Sequence, residues 1–165
     1  MKKWLVRILL SAALVALGLW GWRLVFPSPE HVIRKQLSEL AQTARIVPNE
    51  APLAKLANSQ KLTSFFTGDV QVSVDVPGHT QSLSGREELM QASMGARSML
   101  SSLTVEFLDV TIALATDKES AVANLTAKAR IPGEQDFIVQ ELKLRFKKIG
   151  GDWLINRVET VKTLL

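Results

Sequence analysis

The chain has 165 residues, with 20 Lys and Arg against 16 Asp and Glu, no Cys, no Tyr, two His and four Trp. That length holds one modest domain plus an appendage, and the composition excludes disulfides, thiolate metal sites, Cys nucleophiles and phenolic acids, while His31 and His79 alone cannot build a multi-histidine metal centre. Lys2, Lys3, Arg7 and Arg23 lie in residues 1–26, which hold no acid, so residues 27–165 keep 16 basic against 16 acidic side chains, and such a neutral body lacks the clustered cations that bind nucleic acid.

Trp4–Phe26 is a 23-residue, predominantly apolar run interrupted only by Arg7 and Arg23. As a helix it would span ~34 Å, enough for ~30 Å of hydrocarbon. Arg7 and Arg23 sit near its ends, where long side chains reach the headgroups, and Trp4, Trp20 and Trp22 suit the interfacial belts. The sequence therefore predicts a transmembrane signal-anchor over 1–26 that contacts the lipid bilayer through residues 4–26. Lys2, Lys3 and Arg7 precede the span, so the N-terminus is expected in the cytoplasm and the body outside the cytoplasmic (inner) membrane. The competing reading is a cleaved secretory signal, for which Ala16-Leu17-Gly18 is the small-x-small match.

Pro27-Ser28-Pro29 ends that segment and opens another, with Ser28 as N-cap and Pro29 in the first turn. Ile33, Leu37, Leu40, Ala41 and Ala44 recur at helical spacing over about 29–45. Asn49 is expected to cap a second helical region, about 50–66. Its stripe Leu53, Leu56, Ala57 is out of phase with Leu62, Phe65, Phe66, which predicts a break near Asn58-Ser59. Val70, Val72, Val74 and Val76 alternate with Gln71, Ser73 and Asp75, the period of a half-buried strand. Pro77–Ser84 reads as a polar loop. Ser84 and Glu87 match a capping box before a third helix, about 85–100.

Four long strands follow. In 104–115, Leu108, Val110, Ile112 and Leu114 are expected on one face. In 120–131, Ala121, Ala123, Leu125, Ala127, Ala129 and Ile131 share a face opposite Asn124, Thr126, Lys128 and Arg130. Strand 136–148 should bury Ile138, Leu142, Leu144 and Phe146. Gly150-Gly151 fits a two-residue hairpin whose central residues need positive φ, leading to 152–162 with Trp153, Ile155, Val158 and Val161. The basic run Lys143, Arg145, Lys147, Lys148 reads as a solvated strand face. A single sheet of this kind must curl and cover its apolar face with the helices.

Three stretches, in this order and spacing, resemble the nuclear transport factor 2-like superfamily, which includes SnoaL-like and ketosteroid isomerase-like proteins. They are Phe65-Phe66-Thr67-Gly68-Asp69-Val70, Leu83-Ser84-Gly85-Arg86-Glu87-Glu88-Leu89, and Phe146–Ile155 with Trp153 after the hairpin. The likeness covers about 30–162. It implies an α+β cone: a curved antiparallel or mixed sheet wrapped over about three helices, here in a domain spanning 27–165 behind one transmembrane helix. It also implies a homodimer through the sheet face. The same fold behind one N-terminal span occurs in type IV secretion inner-membrane subunits, which implies a membrane-complex partner protein.

The fold hosts enzymes, binders and assembly modules alike. In ketosteroid isomerase-like members the base is an Asp near the end of the first strand, with a Tyr and a protonated Asp holding the oxyanion. Here Asp75 is the matching base, Asp109 the second acid and His79 a loop base, and no Tyr exists. The alternation turns Asp75 away from the helices. Asp75, His79 and Asp109 therefore each read as solvated, with catalysis as the alternative. Arg97 reads as a surface or salt-bridge residue, the alternative being a contact to a ligand carboxylate. Phe66, Val74, Met90, Met94, Val110, Ile112, Leu144 and Phe146 would line the cone, or fill it as core. No cofactor or metal site is expected. The reading is a membrane-anchored, extracytoplasmic, non-catalytic interaction or small-ligand-binding module; the alternative is a small-molecule isomerase, dehydratase or hydrolase.

Overall fold

The computed structural model describes residues 28–76, 79–133 and 137–161. The expected anchor, residues 4–26, lies outside them, and no helix among the described residues is long and apolar enough to cross a membrane. Ser28 caps the first helix, α1 (Pro29–Ala44), by accepting a hydrogen bond from the His31 N–H at 3.4 Å, and Pro29 spends no donor in the first turn. Ile33, Leu37 and Leu40 recur on its buried face.

The second helix, α2 (Pro52–Ser64), runs without the expected break. Asn49 does not cap it. Asn49 sits in the preceding turn in the left-handed region at φ 57°, and Ala51 is the N-cap, with Pro52 supplying the pre-set φ. The packed face of α2 is polar: Ser59 and Thr63 are buried, whereas Leu53 is 81% exposed and Leu56 and Ala57 also face solvent. Small residues there let α2 approach the next helix closely, and the Ser93 hydroxyl donates to Ser59 Oγ at 2.9 Å across that contact. The apolar period thus pointed to the wrong face, and with only Leu62 and the following Phe65 and Phe66 on the core no break is required.

The sheet begins with β1 (Phe66–Val76) and β2 (His79–Ser84). The segment read as a loop is an edge strand, paired antiparallel to β1 from Gln71–Ser84 to Val76–His79. An edge strand needs no apolar alternation, which is why polar His79–Ser84 gave no signal. Helix α3 (Gly85–Met99) follows; Glu88, not Glu87, closes its first turn by accepting from the Ser84 N–H at 2.7 Å, and the Ser84 side chain makes no cap bond. Then come β3 (Thr104–Leu114), β4 (Ser120–Arg130), β5 (Ile138–Ile149) and β6 (Asp152–Thr160). The six strands lie in the order β2-β1-β6-β5-β4-β3, all pairs antiparallel except β1 with β6. The mixed sheet and three helices give the expected α+β class.

Ala121, Ala123 and Leu125 of β4 face Phe146, Leu144 and Leu142 of β5 on the inner side. Gly150 and Gly151, at φ 61° and 96°, make the β5–β6 turn as expected. Three departures concern which residues face inward. In β3 the pairing with β4 slips between Leu108 and Thr111, where Asp109 takes φ 52°. This bulge puts Phe107 inward with Val110, Ile112 and Leu114, and turns Leu108 outward at 43% exposure, against the expected face. In β6 a slip against β5 at Asn156 lets Trp153, Ile155 and Val158 all be buried despite their uneven spacing. At the ends of their strands Ile138 and Val161 stay partly exposed, at 40% and 37%, rather than buried.

Candidate functional site

The space between helices and sheet is where this architecture would hold a ligand, and buried apolar side chains surround it. Ile33, Leu37, Val70, Phe146 and Ile155 are no more than 2% exposed, and Phe65, Phe66, Leu125, Leu144 and Trp153 belong to the same cluster. Each such side chain contributes roughly 1.5–3 kcal/mol through burial. The Gln36 amide donates to the Trp153 carbonyl at 2.6 Å, fixing α1 over the start of β6. Of the eight sequence-chosen lining residues, Phe66, Leu144 and Phe146 are inside this cluster. Val110 and Ile112 pack against it from β3, and Val74, Met90 and Met94 are half-buried.

The ionisable candidates are not gathered by the fold. The β1–β2 register runs without a slip from Gln71 to Val76, so Asp75 shares a face with Gln71 and Ser73, opposite Val70 and Val72. The Asp75 N–H donates to Thr160 Oγ1 at 3.0 Å. Asp109 is exposed at the β3 bulge, where Asp tolerates the left-handed region better than most residues. His79 opens β2 opposite Val76 in register, and its side chain lies outside the described part. No group of three or more His, Cys, Asp or Glu placed to hold a metal ion occurs among the described residues.

Arg97 is 2% exposed. Its guanidinium pairs with Glu50 at 2.9 Å, donates to the Arg45 carbonyl at 3.2 Å and also donates to the Thr43 carbonyl. Glu50 in turn accepts from the Asn58 amide at 2.5 Å. The assembly locks the α1–α2 connection onto the C-terminal end of α3. It satisfies the salt-bridge reading of Arg97 and leaves that side chain committed. Elsewhere, Asp117 organises the β3–β4 turn. Its carboxylate accepts from the Ser120 hydroxyl at 2.7 Å and from the Glu119 and Ser120 N–H groups at 2.8 and 3.0 Å. The Ser120 hydroxyl first, and those two amides next, hold the Asp117 carboxyl below its ordinary range.

Open concavities occur at the surface, some of their walls formed by core residues. A groove of about 660 Å³ runs between α1 and β3, bounded by Arg34, Leu37, Ala41 and Arg45 on the helix and by Thr104–Leu108 on the strand. A smaller depression of about 420 Å³ has Ala113, Val122, Arg145, Lys147 and Asn156 around it. Neither includes Asp75 or Asp109. Of the eight sequence-chosen lining residues, Val110 borders the groove; the rest of it depends on which strand ends the sheet, and that order follows from long-range pairing.

No protein-family model matches the chain, and no curated protein matches it. Solved structures do. A candidate scytalone dehydratase from Novosphingobium aromaticivorans DSM 12444 is 15% identical with a TM-score of 0.60, over 82% of this chain and 84% of that one. A nuclear transport factor 2-like protein with a cystatin-like fold from Novosphingobium aromaticivorans is 15% identical with a TM-score of 0.63, over 92% and 86%. Yeast UBP3-associated protein BRE5 is 11% identical with a TM-score of 0.61, over 84% of this chain and all of that one. The class defined here is therefore the nuclear transport factor 2-like, cystatin-like cone fold. At these identities the likeness is one of fold, and the chemistry has to be argued from this chain's own side chains.

Proposed function

We propose that the chain is a non-catalytic interaction or small-ligand-binding module. Residues 4–26 tether it to the cytoplasmic membrane, the body lies on the outer side, and the partner is a protein of a membrane complex. The observation that supports the reading is the apolar interior: Ile33, Leu37, Val70, Phe146 and Ile155, each no more than 2% exposed, form its core and bring no ionisable group to it. Acid–base catalysis needs an ionisable group aimed at a bound substrate and shielded from water. Asp75 lies on the strand face opposite Val70 and Val72, and Asp109 serves a bulge. The fold is compatible with partner binding, since BRE5 is described by its association with another protein. It is equally compatible with a dehydratase, the description given to the Novosphingobium relative. The rival reading is accordingly an isomerase, dehydratase or hydrolase, and a homodimer through the sheet face remains part of the first.

The test uses the full chain in its native membrane. In-membrane cross-linking should capture the same partner with wild type and with an Asp75→Asn, His79→Ala, Asp109→Asn triple variant. Native mass spectrometry of the chain in nanodiscs should release no stoichiometric small molecule that is turned over. A retained compound whose conversion is abolished by Asp75→Asn would establish the enzyme instead.

A further inference from the structure

The groove between α1 and β3 has a wall that ordinary ligand pockets lack. β3 ends the sheet, so the side of it away from β4 is an open edge. Five consecutive residues, Thr104–Leu108, line the groove. A concavity over one face of a strand would meet only every second residue, so this one runs along the edge itself. The chain already makes one backbone pair on that side. The Ile46 N–H donates to the Leu103 carbonyl at 2.9 Å, and the Leu103 N–H to the Ile46 carbonyl at 3.1 Å, an isolated antiparallel bridge just before β3. Alternate residues of a strand turn both backbone groups to the same side. Val105 and Phe107 therefore direct theirs as Leu103 does, into the groove, where the described residues supply no backbone partner. The regular run ends at the slip after Leu108.

The helix wall adds side-chain chemistry. Half-buried Ala41, with the core residue Leu37 beneath it, gives it an apolar floor, and Arg34 and Arg45 stand at its two ends, both exposed. Among the described residues neither guanidinium has a carboxylate within ion-pair distance. Eleven residues of helix separate them by about 16 Å, a span that an extended chain covers in roughly four to six residues at ~3.3 Å each. Glu106, on the outer rim, would repel an acid there and leaves the helix side as the place for one.

We propose that this groove receives an extended peptide segment of a partner protein, which adds to β3 as a further strand. Its backbone pairs with Val105 and Phe107, its inward apolar side chains rest against Ala41, and an acidic residue near each end meets Arg34 and Arg45. Main-chain pairing supplies affinity and the flanking charges supply register, the division of labour in strand addition. This deepens the interaction reading and rests on it.

The test pans a phage-displayed random dodecapeptide library on the full chain in nanodiscs, then measures synthetic versions of the selected peptides by fluorescence anisotropy. The expected peptides alternate apolar residues and carry acids four to six positions apart. They should slow amide exchange at Val105 and Phe107, and bind at least tenfold more weakly to an Arg34→Glu, Arg45→Glu variant. Both arginines are exposed, so that variant keeps its circular dichroism. Val105→Pro removes only an N–H directed away from β4, a position where a sheet edge accepts proline, and should weaken binding to a similar degree. Absence of any enriched peptide, protection confined to another surface, or binding unchanged in the double-arginine variant overturns the proposal. Cross-linked capture of the membrane partner that persists in that variant also overturns it, while leaving the interaction reading standing.

Discussion

Burying an arginine is tolerable only when its charge is met, and Arg97 is met by the Glu50 carboxylate and by the carbonyls of Thr43 and Arg45, while its Nε–H has no partner among the described residues. Removing one member of such a pair leaves the other as an uncompensated buried charge, which costs about 3–5 kcal/mol. Arg97→Ala should lower the unfolding free energy in urea by that order, whereas Glu50→Leu with Arg97→Met should recover most of the loss. If the single variant unfolds at the wild-type midpoint, the pair holds nothing together. A second residue-scale consequence concerns acid. Asp117 has its carboxyl held low by the Ser120 hydroxyl and two amides. A group depressed in the folded state contributes stability that is present above its unfolded pKa and lost as pH falls through its folded pKa. Carboxyl carbon shifts should therefore give Asp117 a midpoint below the ordinary 3.8. Asp117→Asn should leave the neutral-pH turn intact and remove its share of the acid limb of stability; a midpoint at or above the ordinary value contradicts the turn geometry.

Between elements, the two short helices that look alike in sequence bury opposite kinds of residue. On α1 the apolar stripe is the packed one, and Leu37 is 2% exposed; on α2 the stripe at Leu53 and Leu56 faces water while Ser59 and Thr63 pack. Leu37→Ala should cost about 2–5 kcal/mol through the cavity it leaves, and Leu53→Glu should stay within about 0.5 kcal/mol; thermal or urea unfolding of the two variants separates them, and a destabilised Leu53→Glu would mean that a partner or another segment covers α2. This contrast also marks what could be read in advance. Where one face packs and one is wet, as in α1 and in Ala121–Leu125 of β4, periodicity gives element and face together. It fails where packing is close enough to favour serine over leucine, as at Ser59. It fails too where a strand is an edge, as in His79–Ser84, and where one residue shifts the phase, as Asp109 does by leaving Leu108 outside. Asp at a left-handed φ is an accepted signal only once the bulge is known. The same limit governs the site. The burial of Phe66, Leu144 and Phe146 was legible in the sequence, but the groove arises from β3 lying last in the sheet, and no local pattern encodes that order.

For the molecule as a whole, charge and greasiness are partitioned along the chain. Residues 1–26 carry four cations and no acid, and residues 27–165 balance at 16 against 16. A neutral body has little long-range attraction for anionic lipid, so any membrane association of the full chain has to come through the proposed tether. In the proposed topology the chain enters α1 directly from that tether at Ser28, and α1 is 16 residues, about 24 Å at 1.5 Å per residue. Its far end, with Arg45, is then held off from Ser28 by that helical length, leaving the groove accessible to a neighbouring protein in the same membrane. The full chain should therefore stay in the pellet after carbonate extraction. A chain lacking residues 1–26 should become extractable, with an isoelectric point shifted from about 9.6 toward neutrality. Trypsin added to the outer side of intact spheroplasts should digest the body of the full chain. Recovery of the full chain in the carbonate supernatant, or of a mature chain whose N-terminus lies beyond the tether, would refute the anchored arrangement in favour of a released binder; digestion seen only after the membrane is opened would place the body on the cytoplasmic side.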